Sequence, residues 1–264
     1  MGSHERWTAL LDILGRDGRL EVALAAAELS VSPATIRRDL DQLAGQQLLS
    51  RTRGGAAPAS VAYDLPLRYK TGRQVDEKSR IGTAAAALVR PGSVVAVNGG
   101  TTTSETVRAL VAASTNPDVE VVGDNPAFTV VTNALNIAND LAVRRTIKLV
   151  VTGGVARPSS YELIGPLAEP ILARLHLDYA VIGVDGLNLD AGATAHHEGE
   201  AAVSAQMVDR ATTVVVVADA SKLGLRSFAT ICPLSRIDVL ITDTSADSEL
   251  VAAFSAADVR VIQA

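Results

Sequence analysis

Leu29-Ser30-Val31-Ser32-Pro33-Ala34-Thr35-Ile36-Arg37-Arg38-Asp39-Leu40-Asp41-Gln42-Leu43-Ala44-Gly45-Gln46 reads as a short turn feeding a capped helix. Ser32 makes a good N-cap because its hydroxyl accepts from an orphan amide, and Pro33 suits the first helical position, where its missing N–H costs nothing. Ile36, Leu40 and Leu43 recur at i, i+4 and i+7 and predict one buried stripe. Arg38 then points almost directly away from that stripe, with Thr35 and Arg37 on its flanks. An apolar back, a cationic front and a tight entry turn are what a helix needs to read a DNA groove.

Working outward, Trp7, Leu10, Leu11 and Leu14 keep helical spacing from about residue 5 to 16, closed by Gly15 and Gly18. Val22 to Leu29 gives a second short helix. With the capped segment these predict a helix-turn-helix core. Leu48 to Ala56 alternates and ends in paired glycines, which suits a small β-wing carrying Arg51 and Arg53 close to phosphates. The expected DNA contacts are therefore Ser32, Thr35, Arg37, Arg38, Arg51 and Arg53, with double-stranded operator DNA as partner.

A net charge of −5 over 264 residues looks wrong for a nucleic-acid binder until it is placed. Residues 1–57 hold seven arginines and seven acids, and residues 58–264 hold 17 basic and 22 acidic residues, so the acid excess lies outside the candidate DNA module. Within 31–57, Arg37, Arg38, Arg51 and Arg53 face only Asp39 and Asp41. That modest footprint predicts weak binding by one module and a need for a homo-oligomer, dimer or tetramer. A single cysteine, Cys232, can form neither an internal disulfide nor a zinc site by itself. Met1 to Trp7 lacks the apolar core of a signal peptide, and no apolar run reaches the ~18 residues of a membrane span. The expectation is a cytoplasmic protein with no membrane partner.

We read residues 1–57 as the DNA-binding domain, 58–71, with Pro58 and Pro66, as a linker, and 72–264 as an α/β domain for effector binding and oligomerisation. From Lys78 onward apolar runs alternate with helical segments: Val94–Val97, Val130–Thr132, Ile147–Thr152, Tyr179–Val184, Val214–Ala218, Val239–Thr242 and Val259–Ile262. Nearly continuous Val/Ile runs predict a parallel sheet covered on both faces. Most of these runs are followed by Gly, Asn or Asp, at the sheet edge where open α/β folds bind small ligands.

Asn98-Gly99-Gly100-Thr101-Thr102-Thr103 is the most informative of these edges. Glycines let a backbone approach an anion, a helix N-terminus supplies unpaired N–H groups, and threonines add hydroxyls, so a phosphate would sit well there. The loop is neither a Walker loop nor a dinucleotide fingerprint. Asp219-Ala220-Ser221-Lys222 places a carboxylate and an ammonium on the same edge, suited to a polyol and its phosphate. Asp185-Gly186 is a similar case. His196-His197-Glu198-Gly199-Glu200 invites a metal reading, but adjacent histidines point different ways, so a capping or ligand-contacting loop before a helix from Glu200 to Arg210 is expected. No metal or cofactor is expected.

Ser32-Pro-Ala-Thr-Ile-Arg-Arg-Asp-Leu, then Arg51 and Gly54-Gly55-Ala56, resemble the DeoR-type winged helix-turn-helix. The resemblance continues through Glu77-Lys78, Gly100 to Thr102, Thr132-Asn133, Gly153-Gly154, Gly165, Gly183 to Gly186, Asp219 to Lys222 and Thr242-Asp243. It implies a transcription factor, usually a repressor, with a Rossmann-like sensor domain related to ribose-5-phosphate isomerase and binding a phosphorylated sugar. It adds Lys78, Asn133 and Glu200 to the effector residues. Asn98 stands where the family commonly carries Asp. The stretch Val184 to Ala201 is similar to the branch acting in amino-sugar and galactosamine catabolism. The rival reading is a sugar-phosphate isomerase with an appended DNA module, for which Asp185, Glu198 or Glu200 could serve as base; fold resemblance alone does not grant that activity.

Overall fold

Helices α1 (Ser3–Asp17), α2 (Val22–Glu28) and α3 (Pro33–Gly45) enclose the core of the first of two units, Met1–Arg73 and Gln74–Ala264. The computed structural model describes residues 2–46, 48–57, 67, 74–115 and 126–264. Leu10, Leu14, Ile36, Leu40 and Leu43 are fully buried together, which locks the stripe read from the sequence against α1. Each such burial contributes about 1.5–3 kcal/mol. The connecting segment expected at 58–71 lies, Leu67 apart, outside the described residues.

The wing is a three-stranded antiparallel sheet of β1 (Leu20–Glu21), β2 (Ser50–Thr52) and β3 (Gly55–Ala57), with β3 central. Its turn runs through Gly54 at φ +89°. A Cβ on Gly55 would collide with the carbonyl of Leu20, so β1 can close on β3 only because that position is glycine. Leu20–Glu21 is the strand that sequence alternation did not reveal.

The second unit is built on seven parallel strands: β4 (Val94–Val97), β5 (Phe128–Thr132), β6 (Ile147–Val151), β9 (Leu177–Gly183), β12 (Ala211–Val217), β14 (Val239–Thr242) and β15 (Arg260–Gln263). Their order is β6-β5-β4-β9-β12-β14-β15. All seven apolar runs named above fall in this sheet, Val94–Val97 and Val239–Thr242 end for end and the other five with ends shifted by one to three residues. Alternation splits them between two cores. Val95, Val97, Val215 and Val217 pack with Ile81, Leu110 and Ile137 of α4 (Val75–Leu88), α5 (Thr101–Ser114) and α6 (Leu135–Leu141). Ala96, Val214 and Val216 pack with Leu172, Met207 and Phe254 of α7 (Glu169–Leu172), α8 (Glu198–Arg210) and α9 (Ser248–Ala256). Both faces are thus covered, as a parallel sheet requires.

From β4 the chain moves out through β5 and β6, then returns to place β9 on the other side of β4. Strand order reverses there, and the crevice beyond the carboxyl ends of β4 and β9 is where open α/β sheets bind ligands. Two short additions flank that crevice. The hairpin β7 (Val155–Arg157) and β8 (Glu162–Ile164) docks on the loop after β5, with Leu163 N donating to Asn133 O at 2.7 Å and Leu135 N to Tyr161 O at 2.8 Å. The strands β10 (Gly186–Asn188) and β11 (Gly192–Ala195) carry the chain from β9 towards α8, and β13 (Ala229–Cys232) returns later to complete a small sheet with them.

Candidate functional site

In the first unit the cap forms as expected. Ser32 Oγ accepts the Thr35 amide at 3.1 Å and lies 2.9 Å from the Thr35 hydroxyl, so both side chains fix the start of α3. Arg37, Arg38 and Arg53 are exposed, and among the described residues none of them makes an ion pair or side-chain hydrogen bond.

Of the two acids set against Arg37, Arg38, Arg51 and Arg53, Asp41 meets Arg51 alone and Asp39 meets none of the four. Asp39 is buried beside Ile36 and Leu40, at the edge of the apolar stripe, and accepts from Arg6 Nε at 2.5 Å, Arg6 Nη2 at 3.0 Å and Trp7 Nε1 at 2.9 Å. That hydrogen bond raises the pKa of Arg6 against the opposing effect of burial. Asp41 pairs with Arg51 at 2.9 Å, and Arg51 Nη1 donates to Gly55 O at 2.8 Å. Arg51 therefore ties the wing to α3, and the unpaired cationic front narrows to Arg37, Arg38 and Arg53. Long unpaired guanidinium groups suit phosphates and base edges alike.

In the second unit the loop after β4 is held from below. Asn98 donates through Nδ2 to Gly183 O at 2.9 Å and Ser204 Oγ at 3.1 Å, and its Oδ1 accepts from Gly183 N at 2.8 Å. Both ends of this side chain clamp β4 to β9, so Asn98 positions the loop. Gly100 caps α5 at φ +151°, and its carbonyl accepts from Thr103 Oγ1 at 3.1 Å and Ser104 Oγ at 2.7 Å. The Thr103 hydroxyl, expected as a donor to ligand, is thus occupied within the loop. Among the described residues the amides of Thr101, Thr102 and Thr103 have no acceptor. A 14-residue helix aims its positive end at the same place.

The remaining expected residues are distributed along this sheet edge. Asn133 follows β5; its Nδ2 donates to Glu162 Oε2 at 2.8 Å and Leu163 O at 3.2 Å, and its Oδ1 is buried without a partner. Asp185, between β9 and Gly186, accepts His196 N at 3.0 Å. His197 caps α8 by accepting Gly199 N at 3.1 Å, the capping role expected of that stretch. Glu200, buried on α8, pairs with Arg157 at 3.0 Å. Asp219 caps the short turn Ala220–Lys222 and faces the side-chain amide of Gln74 at 2.9 and 3.1 Å. Lys222 ends that turn, which follows β12, two strands from β4 in the sheet order. Lys78 lies buried on α4.

Two participants went unread in the sequence, Arg157 and Glu162, and Asp243, noted there only as part of the resemblance, joins them at this edge. Asp243, after β14, accepts Ala220 N at 2.7 Å; burial works to raise its pKa, but hydrogen bonds from Ser245 and Ala220 outweigh that and hold it below the usual carboxylate value. Glu162 is only 5% exposed, and its pKa is pushed up to about 8, first by burial and then by the Glu200 carboxylate, with Asp185 adding to the effect and the amides of Asn133 and Gly99 opposing it.

Two known domain families cover this architecture. The DeoR-like helix-turn-helix domain matches residues 6–61, and the DeoR C terminal sensor domain matches residues 73–244. The chain belongs to the DeoR family. Its relatives include the HTH-type transcriptional regulator GlpR of Haloferax volcanii, 33% identical over 98% of this chain and 96% of that protein. The HTH-type transcriptional repressor GlcR of Bacillus subtilis is 34% identical over 92% of this chain and 89% of its own. A putative aga operon transcriptional repressor of Escherichia coli O157:H7 is 30% identical over 99% and 94%. These names are those of transcriptional regulators rather than enzymes. Among solved structures, a ribose 5-phosphate isomerase of Methanocaldococcus jannaschii is similar over 56% of this chain and 54% of that one, at 20% identity and a TM-score of 0.39; nothing here rests on so slight a likeness. As in a DeoR regulator, a DNA-reading unit and a sensor unit share one chain. Among the described residues, no helix is long and apolar enough to cross a membrane.

Proposed function

We propose that this DeoR-family regulator represses a carbohydrate catabolic operon and that a phosphorylated sugar, bound at the strand ends of the second unit, controls its hold on operator DNA. The carrying observation is the loop Gly99–Thr103: unpaired amides of Thr101 to Thr103, the N-terminus of α5 and the β4/β9 reversal all converge on one crevice. A phosphate takes the amides, and Asn133, Asp185 and Glu200 line the same edge for hydroxyls. Lys222, with Asp219, supplies the farther end.

Arg37, Arg38 and Thr35 enter the major groove, and Arg53 meets the backbone. So few unpaired cations per chain give weak binding singly, so two or more copies act together on a repeated site. Coupling has a physical route. Asp219, a sugar-contacting residue in this account, faces Gln74, the first residue of the second unit and one held at φ +49°, directly after the segment leading from the DNA-binding unit. Ligand at Asp219 competes for that hydrogen bond, which gives the two states different ligand affinities.

The test is a thermal-shift screen of phosphorylated sugars followed by a gel shift on the operator. A stabilising compound that also releases DNA supports the proposal. If no phosphorylated sugar raises the melting temperature, the sensor assignment is wrong.

A further inference from the structure

Glu162 reaches the crevice on the β7–β8 hairpin, from outside the strand-end loops. Its carboxyl lies over the glycine loop so closely that a Cβ on Gly99 would overlap its Cγ and Cδ. It accepts from Asn133 Nδ2 at 2.8 Å and from the Gly99 amide. The remaining oxygen of Asn133 is buried with no partner, so the polar lining here is incomplete without a further group.

The charges around Glu162 come from each neighbouring element. From α8 comes Glu200, partly balanced by Arg157 of the hairpin itself; from the β9–β10 turn comes Asp185, with the His196 ring 4.0 Å from it. The Gly99–Thr103 loop and Asn133 bring neutral groups. A buried carboxyl facing two other carboxylates and one guanidinium keeps its proton at neutral pH. An ionised Glu162 would set a negative charge directly beside the amides that an incoming phosphate needs.

We propose that Glu162 is an additional specificity residue of the effector crevice, one that admits a phosphate ester only while its carboxyl is protonated. The proposal rests on the crevice being the effector site. Protonated, the group is neutral towards the phosphate and can donate to one of its oxygens; ionised, it repels the ligand. Binding above the titration of Glu162 therefore takes up a proton.

The test is calorimetric titration of the full chain with glycerol 3-phosphate, glucose 6-phosphate, fructose 6-phosphate and inorganic phosphate from pH 7 to 9.5 at fixed ionic strength. None of these carries an amine, and the three esters, with a second pKa near 6, are about nine-tenths dianionic at pH 7; inorganic phosphate still titrates at the lower end of this window and serves only to detect binding at pH 7. For whichever ester binds at pH 7, affinity should weaken above pH 8 with a slope approaching tenfold per pH unit. Titrations in two buffers of different ionisation heat should show uptake rising towards one proton per site. Glu162→Gln should bind within about threefold of the wild type at pH 7 and stay flat to pH 9.5. A flat wild-type profile with no proton uptake overturns the role of Glu162 and leaves the effector site standing, as does a sloping profile that survives in Glu162→Gln. Absence of binding by all four compounds at pH 7, together with a negative screen, overturns the effector site and this proposal with it. The wild-type profile decides the matter even if the variant does not fold.

Discussion

The recognition helix and wing present three unpaired guanidinium groups on long, exposed side chains, whereas the strand-end loop presents three unpaired amides fixed by a sheet and a helix. Flexible cations suit a polyanion, because they can follow many phosphates and their binding is driven by counterion release. Fixed amides suit one small anion, because the geometry is settled before the ligand arrives. The acids differ in the same sense. In the first unit Asp39 and Asp41 are paired with arginines that hold structure, leaving a cationic front; in the second, Glu162 lies against Gly99 of the loop, with the Glu200 carboxylate acting on it.

The largest effect expected is structural. Asp39→Ala takes away the carboxylate that holds the largely buried Arg6 guanidinium and removes the acceptor of Trp7, which should destabilise the first unit by about 3 kcal/mol. Trp7 is the sole tryptophan, so its fluorescence during urea unfolding follows this unit alone. An unchanged urea midpoint would show that the contacts of Asp39 with Arg6 and Trp7 add nothing to the stability of this unit.

Next comes Arg38→Ala, which should cost about 1–3 kcal/mol of operator binding per subunit while leaving the thermal shift with a phosphorylated sugar unchanged. Equal operator affinity in a gel shift would remove Arg38 from the DNA-reading face.

The pH dependence of the second unit is smaller over any one pH unit. The Glu162 carboxyl has an ordinary value of 4.5 and is pushed up to about 8 in the folded protein. Between those values the unfolded chain binds fewer protons, so stability is greatest below about 4.5, falls as pH rises and has lost this contribution above about 8. The slope is at most about 1.4 kcal/mol per pH unit. Glu162→Gln should flatten it in melting curves from pH 5 to 8; an unchanged slope would locate the titrating group elsewhere.

Asp41→Asn is expected to have the smallest effect on stability, below about 1 kcal/mol, because this pair is largely exposed. It frees Arg51 for phosphate, so the slope of log affinity against log salt should steepen by about one per subunit. No change in slope would mean that Arg51 already contacts DNA in the wild type.

What the sequence disclosed follows the range of the interactions. The α3 stripe, the Ser32 cap and seven Val/Ile runs are local patterns, and all of them appear in the structure. The loop Gly99–Thr103 is also local, and its unpaired amides follow from any glycine turn opening a helix. Glu162 carried no such signal, because its neighbours Gly99, Asn133 and Glu200 come from the loops after β4 and β5 and from α8, and its own strand is three residues long. Asp39 looked like a surface acid because helical spacing puts it only at the margin of the stripe; Arg6 and Trp7, more than thirty residues earlier, draw it inward. The clamp made by Asn98 was hidden for the same reason: its partners Gly183 and Ser204 lie far along the chain.

The most direct test of the central claim is an operator gel shift of the wild type, Arg38→Ala and Lys222→Ala, each titrated with the phosphorylated sugar that stabilises the protein. The account predicts that the wild type releases DNA as the sugar is added, that Lys222→Ala binds DNA normally but needs at least tenfold more sugar for release, and that Arg38→Ala binds sugar without binding DNA. Release from Lys222→Ala at the wild-type concentration, or a wild-type complex that no concentration of the sugar disturbs, would contradict it.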